Sequence, residues 1–211
     1  MTPLEKFWSA AFALVIDSGY AWEIDFVKAI PPPENQTAEN FFRQYLWVIV
    51  NAGKKEQVVR KHVIEPFWNA MDGDGTLEGF GFEKTSPFDL IPIRKKREAA
   101  IYVYNNRASL FREFLDSKDR LAFLDSLPFI AETTARHMAR NLGMDCAKPD
   151  VHLRRLAAVW GFKHPDDLVV EIQKFTDMRI GVIDVLLWRY CNLTGDYGER
   201  FLKCEKEEPQ V

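Results

Sequence analysis

The residues with the most chemical potential lie between 127 and 156, in the run LPFIAETTARHMARNLGMDCAKPDVHLRRL. Asp150 follows Pro149 at the start of a helical pattern, with His152, Arg154 and Arg155 close behind it. A carboxylate there caps the first backbone N–H groups of a helix. It is also a group that can stabilise a developing positive charge or activate a water. Arg136 and Arg140 share one face of the preceding helix at i, i+4, with His137 beside them. That spacing suits a surface laid against phosphates, and equally a plain solvated face. Arg154 and Arg155 are adjacent and so point to different sides. One of them can reach a phosphate while the other pairs internally.

Further basic clusters stand at Lys54-Lys55, Arg60-Lys61 and Arg94-Lys95-Lys96-Arg97. The chain carries 28 Lys+Arg against 31 Asp+Glu, a net charge of −3, which excludes a histone-like positive coat. Clusters within such a balance mean segregated charge, and phosphate binding needs that. Other chemistry is poorly provided for. No Ser/His/Asp arrangement or Walker loop stands out. Cys146, Cys191 and Cys204 give neither a disulfide framework nor a complete metal set. Asp72, Asp74, Thr76 and Glu83 fall at calcium-loop positions, but Leu77 stands where the sharp turn needs Gly. This segment reads as an acidic loop.

The elements that must position these residues are helical. Leu4, Phe7, Trp8, Ala11, Phe12, Leu14 and Val15 recur at helical spacing until Gly19. Ala21–Ile30 is stopped by Pro31-Pro32-Pro33, and Thr37 is the expected N-cap of Ala38–Ala52. Lys54–Met71 reads as one helix kinked or divided at Pro66, and Asp72–Asp89 as the one long loop. Helices then follow over Ile93–Asn106, Ser109–Asp116, Lys118–Ser126, Thr133–Leu142, Val151–Trp160, Pro165–Phe175 and Arg179–Leu193. The tail after Lys203 is charged and expected to fray. The class is all-α. Aromatics are 13% of the chain, enough for a pocket as well as a core. The apolar stretch Phe7–Ile16 is amphipathic and too short to span a bilayer, so a soluble, cytoplasmic protein is expected.

Leu127, Pro128, Ile130, Thr134 and Ala135, followed at fixed spacing by Asp150, His152, Leu153, Arg155 and Leu156, resemble the helix-hairpin-helix (HhH-GPD) superfamily of base-excision DNA glycosylases. The likeness is sharpest over 127–156 and extends loosely over most of the chain. It implies a two-lobed all-α fold with a cleft between the lobes. One lobe would be the termini, 1–35 with 147–211. The other would be 36–146, with the hairpin at about 118–142. It also implies that Asp150 stabilises the sugar cation or activates water. Pro128, Ile130, Ala131, Thr133, Thr134, Arg136, His152, Arg154, Lys54 and Asn51 would contact DNA. Trp47, Trp188, Tyr190 and Asp184 would serve the pocket for a flipped base, for which Trp22 and Phe26 are further aromatic candidates.

The chain departs from the family at two points. The two hairpin glycines are Phe129 and Ala131, which puts the usual hairpin–phosphate contact in doubt. Thr133 stands where bifunctional members carry the imine-forming lysine, so the resemblance implies a monofunctional enzyme. No iron–sulfur cluster and no other cofactor are expected, although a monovalent cation could sit at the hairpin. The partner that the resemblance implies is double-stranded DNA carrying a damaged or modified base, expected to be bound by a monomer without a membrane, in the cytoplasm or at the nucleoid if the source is bacterial. Repair and defence against modified phage DNA both fit. Two alternatives remain. One is a non-catalytic helix-hairpin-helix DNA-binding module; the other is a helical protein-interaction scaffold, for which the lost glycines argue.

Overall fold

The computed structural model describes residues 1–54, 56–72 and 86–203, and every regular element among them is helical. In chain order these are α1 (Pro3–Asp17), α2 (Ala21–Ala29), α3 (Ala38–Asn51), α4 (Glu56–Val59), α5 (Glu65–Asp72), α6 (Arg94–Asn105) and α7 (Arg107–Asp116). They continue with α8 (Arg120–Asp125), α9 (Glu132–Asn141), α10 (Val151–Val159), α11 (Pro165–Gln173), α12 (Ile180–Thr194) and α13 (Glu199–Lys203). The chain is all-α, and no described helix is long and apolar enough to cross a membrane.

Two compact units divide the chain: residues 1–32 with 139–211, and residues 33–138. The first is built round α12, which buries Val182, Ile183, Val185, Leu186, Leu187, Tyr190 and Cys191. Phe7, Ala11 and Val15 of α1, Leu153 and Leu156 of α10, and Leu168, Val169 and Ile172 of α11 complete its core. Each Val, Leu, Ile or Phe among them contributes about 1.5–3 kcal/mol through burial. Thr2 opens α1 with a capping box, its hydroxyl on the Glu5 N–H and the Glu5 carboxylate on its own N–H.

The second unit is centred on α3, where Phe41, Phe42, Tyr45, Leu46 and Ile49 are fully buried. Thr37 caps α3 as its sequence suggests, its hydroxyl accepting the Asn40 N–H at 3.0 Å. The ring of Phe42 lies 5.1–6.4 Å from those of Phe67, Trp68, Phe88 and Tyr104. The aromatic surplus is thus spent largely on the core of this unit.

Three local expectations need correction. Lys54–Met71 is helical without a break from Glu56, and its interruption is a π-helical turn at Arg60–Ile64, between α4 and α5, rather than a simple kink at Pro66. Pro66 sits second in α5, and a proline there lacks the N–H that a regular ladder would use. The stretch taken as loop contains a 3₁₀ turn at Pro87–Leu90, capped by Ser86. Its calcium-like positions Asp74, Thr76 and Glu83 lie outside the described residues, as do Lys55 and Cys204. Finally, α13 lies beyond the last helix expected from the periodicity.

Candidate active site

Asp150 occupies the N-cap of α10 with extended backbone. Its Oδ1 accepts the N–H of His152 at 2.9 Å and of Leu153 at 3.1 Å. Its Oδ2 faces the Lys148 ammonium at 3.7 Å, and only 13% of the Asp150 side chain is exposed. The carboxylate therefore has one oxygen committed to the helix and one turned toward a cation.

The loop between α9 and α10 brings Asp150 there because α12 fastens it at successive points. The Arg179 guanidinium donates to Gly143 O at 2.9 Å, and the Gly181 N–H to Asp145 Oδ1 at 3.1 Å. Asp184 Oδ2 accepts the Lys148 N–H at 3.1 Å. Gly143 has φ +89, and a Cβ there would lie 2.0 Å from Pro31 O, so only glycine fits this crossing.

Asp184 was expected to line a base pocket, and it is instead the buried anchor of this loop. It is 1% exposed, and its Oδ2 also accepts the Arg140 guanidinium in a charge-assisted pair. Burial pushes its carboxyl above the usual range, while Arg140 pulls the other way. Arg140 thus turns inward and is not available on a DNA-facing surface with Arg136; its Nε is buried without a partner among the described residues. Tyr190 is likewise core. It is fully buried, edge-on to Phe7 at 5.3 Å, and its hydroxyl donates to Asp196 Oδ2 at 2.7 Å. Burial and that carboxylate push the phenol up to about 12. The neighbouring Cys191 thiol is also held at about 12 by burial and by nearby carboxylates, Asp150 among them, so it is no nucleophile at neutral pH.

Trp188 is half-buried, with the Arg189 guanidinium 4.7 Å from its ring centroid and 4.0 Å from that of Tyr20. Arg189 also pairs with Glu23. On α2, Trp22 is 61% and Phe26 64% exposed. Arg154 is exposed, and its Nε donates to Pro149 O at 2.7 Å, bracing the turn before Asp150. His152 is half-buried, with Nδ1 3.1 Å from the Tyr197 hydroxyl. Tyr197 carries no motif in the sequence. Only its position, on a short loop closed by Gly195 and Gly198, marks it.

In the other unit, α8 ends at Asp125, and the chain turns through Pro128 and Phe129 into α9. Phe129, at the position of the first family glycine, has φ +61. This is the left-handed region that a phenylalanine enters only under constraint. The turn is held by Tyr45, whose hydroxyl donates to Pro128 O at 2.8 Å, and by the Ile130 N–H on Leu127 O at 3.1 Å. Burial raises the Tyr45 phenol well above its ordinary value. Each of those two carbonyls already accepts one hydrogen bond from within the protein. Ile130 is buried under the turn and Phe129 is 45% exposed. The Thr134 hydroxyl donates to Ala131 O and accepts the Ala131 N–H, each at 2.8 Å, so that amide already has a partner. Thr133 and Arg136 are half-buried on α9.

Asn51 closes α3, its amide donating to Trp47 O at 3.1 Å while its Oδ1 is buried without a partner among the described residues. The Trp47 ring is covered by Arg60 at 5.2 Å. Lys54 is exposed just beyond, and burial and its charge lower the pKa of Lys96. Lys96 donates to Ile49 O at 2.6 Å. These residues form a locally positive corner of the unit. Among the described residues no group of three or more His, Cys, Asp or Glu is placed to hold a metal ion. No family model, no curated protein and no solved structure matches this chain.

Proposed function

We propose that this protein is a monofunctional DNA N-glycosylase that excises a damaged or modified base and leaves an abasic site. The observation that carries the reading is the left-handed Phe129. In the turn between α8 and α9 Phe129 has φ +61, a conformation that favours glycine, at the position where the resembled family carries glycine, and this supports the reading. A generic helix–turn–helix has no need of a bulky residue in that region.

Breaking an N-glycosidic bond builds positive charge on the deoxyribose. Asp150 supplies a fixed carboxylate: Oδ1 is held by α10, and Oδ2 is the oxygen left to face the sugar or a water. Thr133 offers a hydroxyl where an imine would need an amine, which fits hydrolysis without strand cleavage.

The test incubates the protein with duplexes carrying alkylated, deaminated, oxidised or phage-type modified bases, then cleaves abasic sites with alkali. Asp150→Asn is the informative variant, since Asn also caps helices well and leaves the fold in place. The expected loss is about 100-fold or more in rate. Full activity in that variant removes Asp150 from the mechanism. One observation favours a second reading, a non-catalytic DNA-binding module: both Asp150 oxygens already have partners inside the chain. It predicts salt-dependent duplex binding and no abasic product on any substrate.

A further inference from the structure

The loop after α12 is built with unusual tightness. Gly195 closes the helix at φ +66, and Asp196 accepts the Tyr190 hydroxyl on Oδ2 and the Gly198 N–H on Oδ1 at 2.8 Å. Gly198 has φ +87, and a Cβ there would meet the Phe7 ring at 2.9 Å and Trp160 at 3.0 Å. The Trp160 indole N–H donates to Tyr197 O at 3.1 Å. Tyr197 is therefore pinned from both sides, and its side chain has little freedom in where it delivers its hydroxyl.

That hydroxyl meets two groups. Arg155 Nη1 lies 3.3 Å from it and His152 Nδ1 lies 3.1 Å from it. The His152 and Tyr197 rings are nearly parallel, at 21°. A guanidinium only donates, so the phenol oxygen accepts from Arg155. The phenol has a single proton, and giving it to Nδ1 of His152 lets its oxygen accept from Arg155 without sharing its lone pairs with a second donor. A neutral imidazole that accepts at Nδ1 carries its proton on Nε2. His152 Nε2 has no partner among the described residues, and the His152 backbone N–H is already on Asp150 Oδ1. The chain of contacts runs Arg155, Tyr197, His152, Asp150.

We infer that Tyr197 is a positioning residue that holds His152 as its Nε2–H tautomer, so that the ring offers one N–H donor to a DNA backbone phosphate beside Asp150. The phosphate half of this rests on the glycosylase reading; the tautomer does not. A neutral ring fixed in the other tautomer would offer a lone pair at Nε2 and could not bind a phosphate oxygen.

The test has two arms. Ring-nitrogen NMR, with His152 assigned by comparison with His152→Asn, reads the tautomer without any DNA. The expected result is an unprotonated Nδ1 and a protonated Nε2 in the neutral ring, giving way to a tautomer mixture in Tyr197→Phe. The second arm measures binding of a duplex carrying a tetrahydrofuran abasic analogue. Tyr197→Phe is expected to weaken binding about fivefold in the native background, the worth of one hydrogen bond, and to add nothing in a His152→Asn background. An Nδ1–H tautomer in the native protein, or one unchanged in Tyr197→Phe, overturns the inference. So does equal weakening in both backgrounds, which would mark Tyr197 as merely structural. Abasic product that depends on Asp150 but not on Tyr197 would sink the inference and leave the glycosylase reading standing. An Nε2–H tautomer in a protein that binds no DNA and yields no abasic product would sink the phosphate assignment together with that reading.

Discussion

Replacing Arg140 by Met leaves the carboxylate of Asp184 buried without its cation, with only the Lys148 N–H still donating to it. Asp184 is 1% exposed, Arg140 has 13% of its side chain exposed, and the two are joined directly through Nη1 and Oδ2. Met matches the aliphatic stem that lies against Gly181, where a Cβ would stand 3.2 Å from Arg140 Cγ, so packing changes little. What is lost is the charge partner. Removing one member of a buried pair costs about 3–5 kcal/mol, because the remaining charge has no solvent. That is a large part of a typical total stability of about 5–15 kcal/mol. The assay is equilibrium urea unfolding followed by tryptophan fluorescence, in which Trp8, Trp160 and Trp188 report the unit that holds the pair. Arg140→Met with Asp184→Leu should recover most of the loss, since an apolar replacement of both partners has no charge to strand.

The pH dependence has a definite sign. The folded-state pKa of Asp184 is raised, chiefly by burial, and Arg140 is the main group opposing the rise. A raised carboxyl favours folding below its unfolded pKa of about 3.9 and loses that contribution as pH rises through the folded pKa. Without Arg140 the folded pKa climbs further. The penalty of Arg140→Met should therefore be small at acid pH, where the carboxyl is neutral, and grow toward pH 8. A loss below about 1 kcal/mol that does not vary with pH would refute the reasoning, since it would mean the buried carboxylate finds water or another partner.

Other outcomes follow from single contacts. Gly143→Ala should prevent stable folding of its unit or cost more than about 3 kcal/mol by thermal unfolding, because the new Cβ meets Pro31 O at 2.0 Å. Gly161→Ala, also at positive φ (+76) but with nothing within 4 Å, should cost only about 1–2 kcal/mol. Phe129→Gly should change stability by less than about 1 kcal/mol in urea, as relief of about 1–2 kcal/mol of left-handed strain is offset by about 0.5–1 kcal/mol of added chain entropy and by loss of the half-covered ring. Tyr45→Phe removes the hydroxyl from Pro128 O and should cost about 1 kcal/mol, measured the same way, the worth of one hydrogen bond.

Much of the fold is legible in the residues themselves. Helical spacing places most of the helices to within a few residues, Pro31-Pro32-Pro33 ends α2, and Thr37 and Asp150 announce the caps that they make. These features are local: periodicity, capping and proline act within a turn or two of the chain. What the sequence could not assign is which partner a polar or aromatic side chain takes from far along the chain. Asp184 meets Arg140 across 44 positions and the Lys148 N–H across 36. Nothing in the spacing separates such a carboxylate from one lining a pocket. Tyr197 meets His152 across 45 positions and belongs to no motif. The conformation of Phe129 runs against its residue type, and the contacts of the residues beside it, Pro128 with Tyr45 and Ile130 with Leu127, help to fix the turn. The sequence alone determined the helices and the chemistry available on them. The tertiary structure decided which of those groups stay in reach of solvent and which are consumed inside, because burial turns an unpaired charge or hydroxyl into a cost that only a specific distant partner removes.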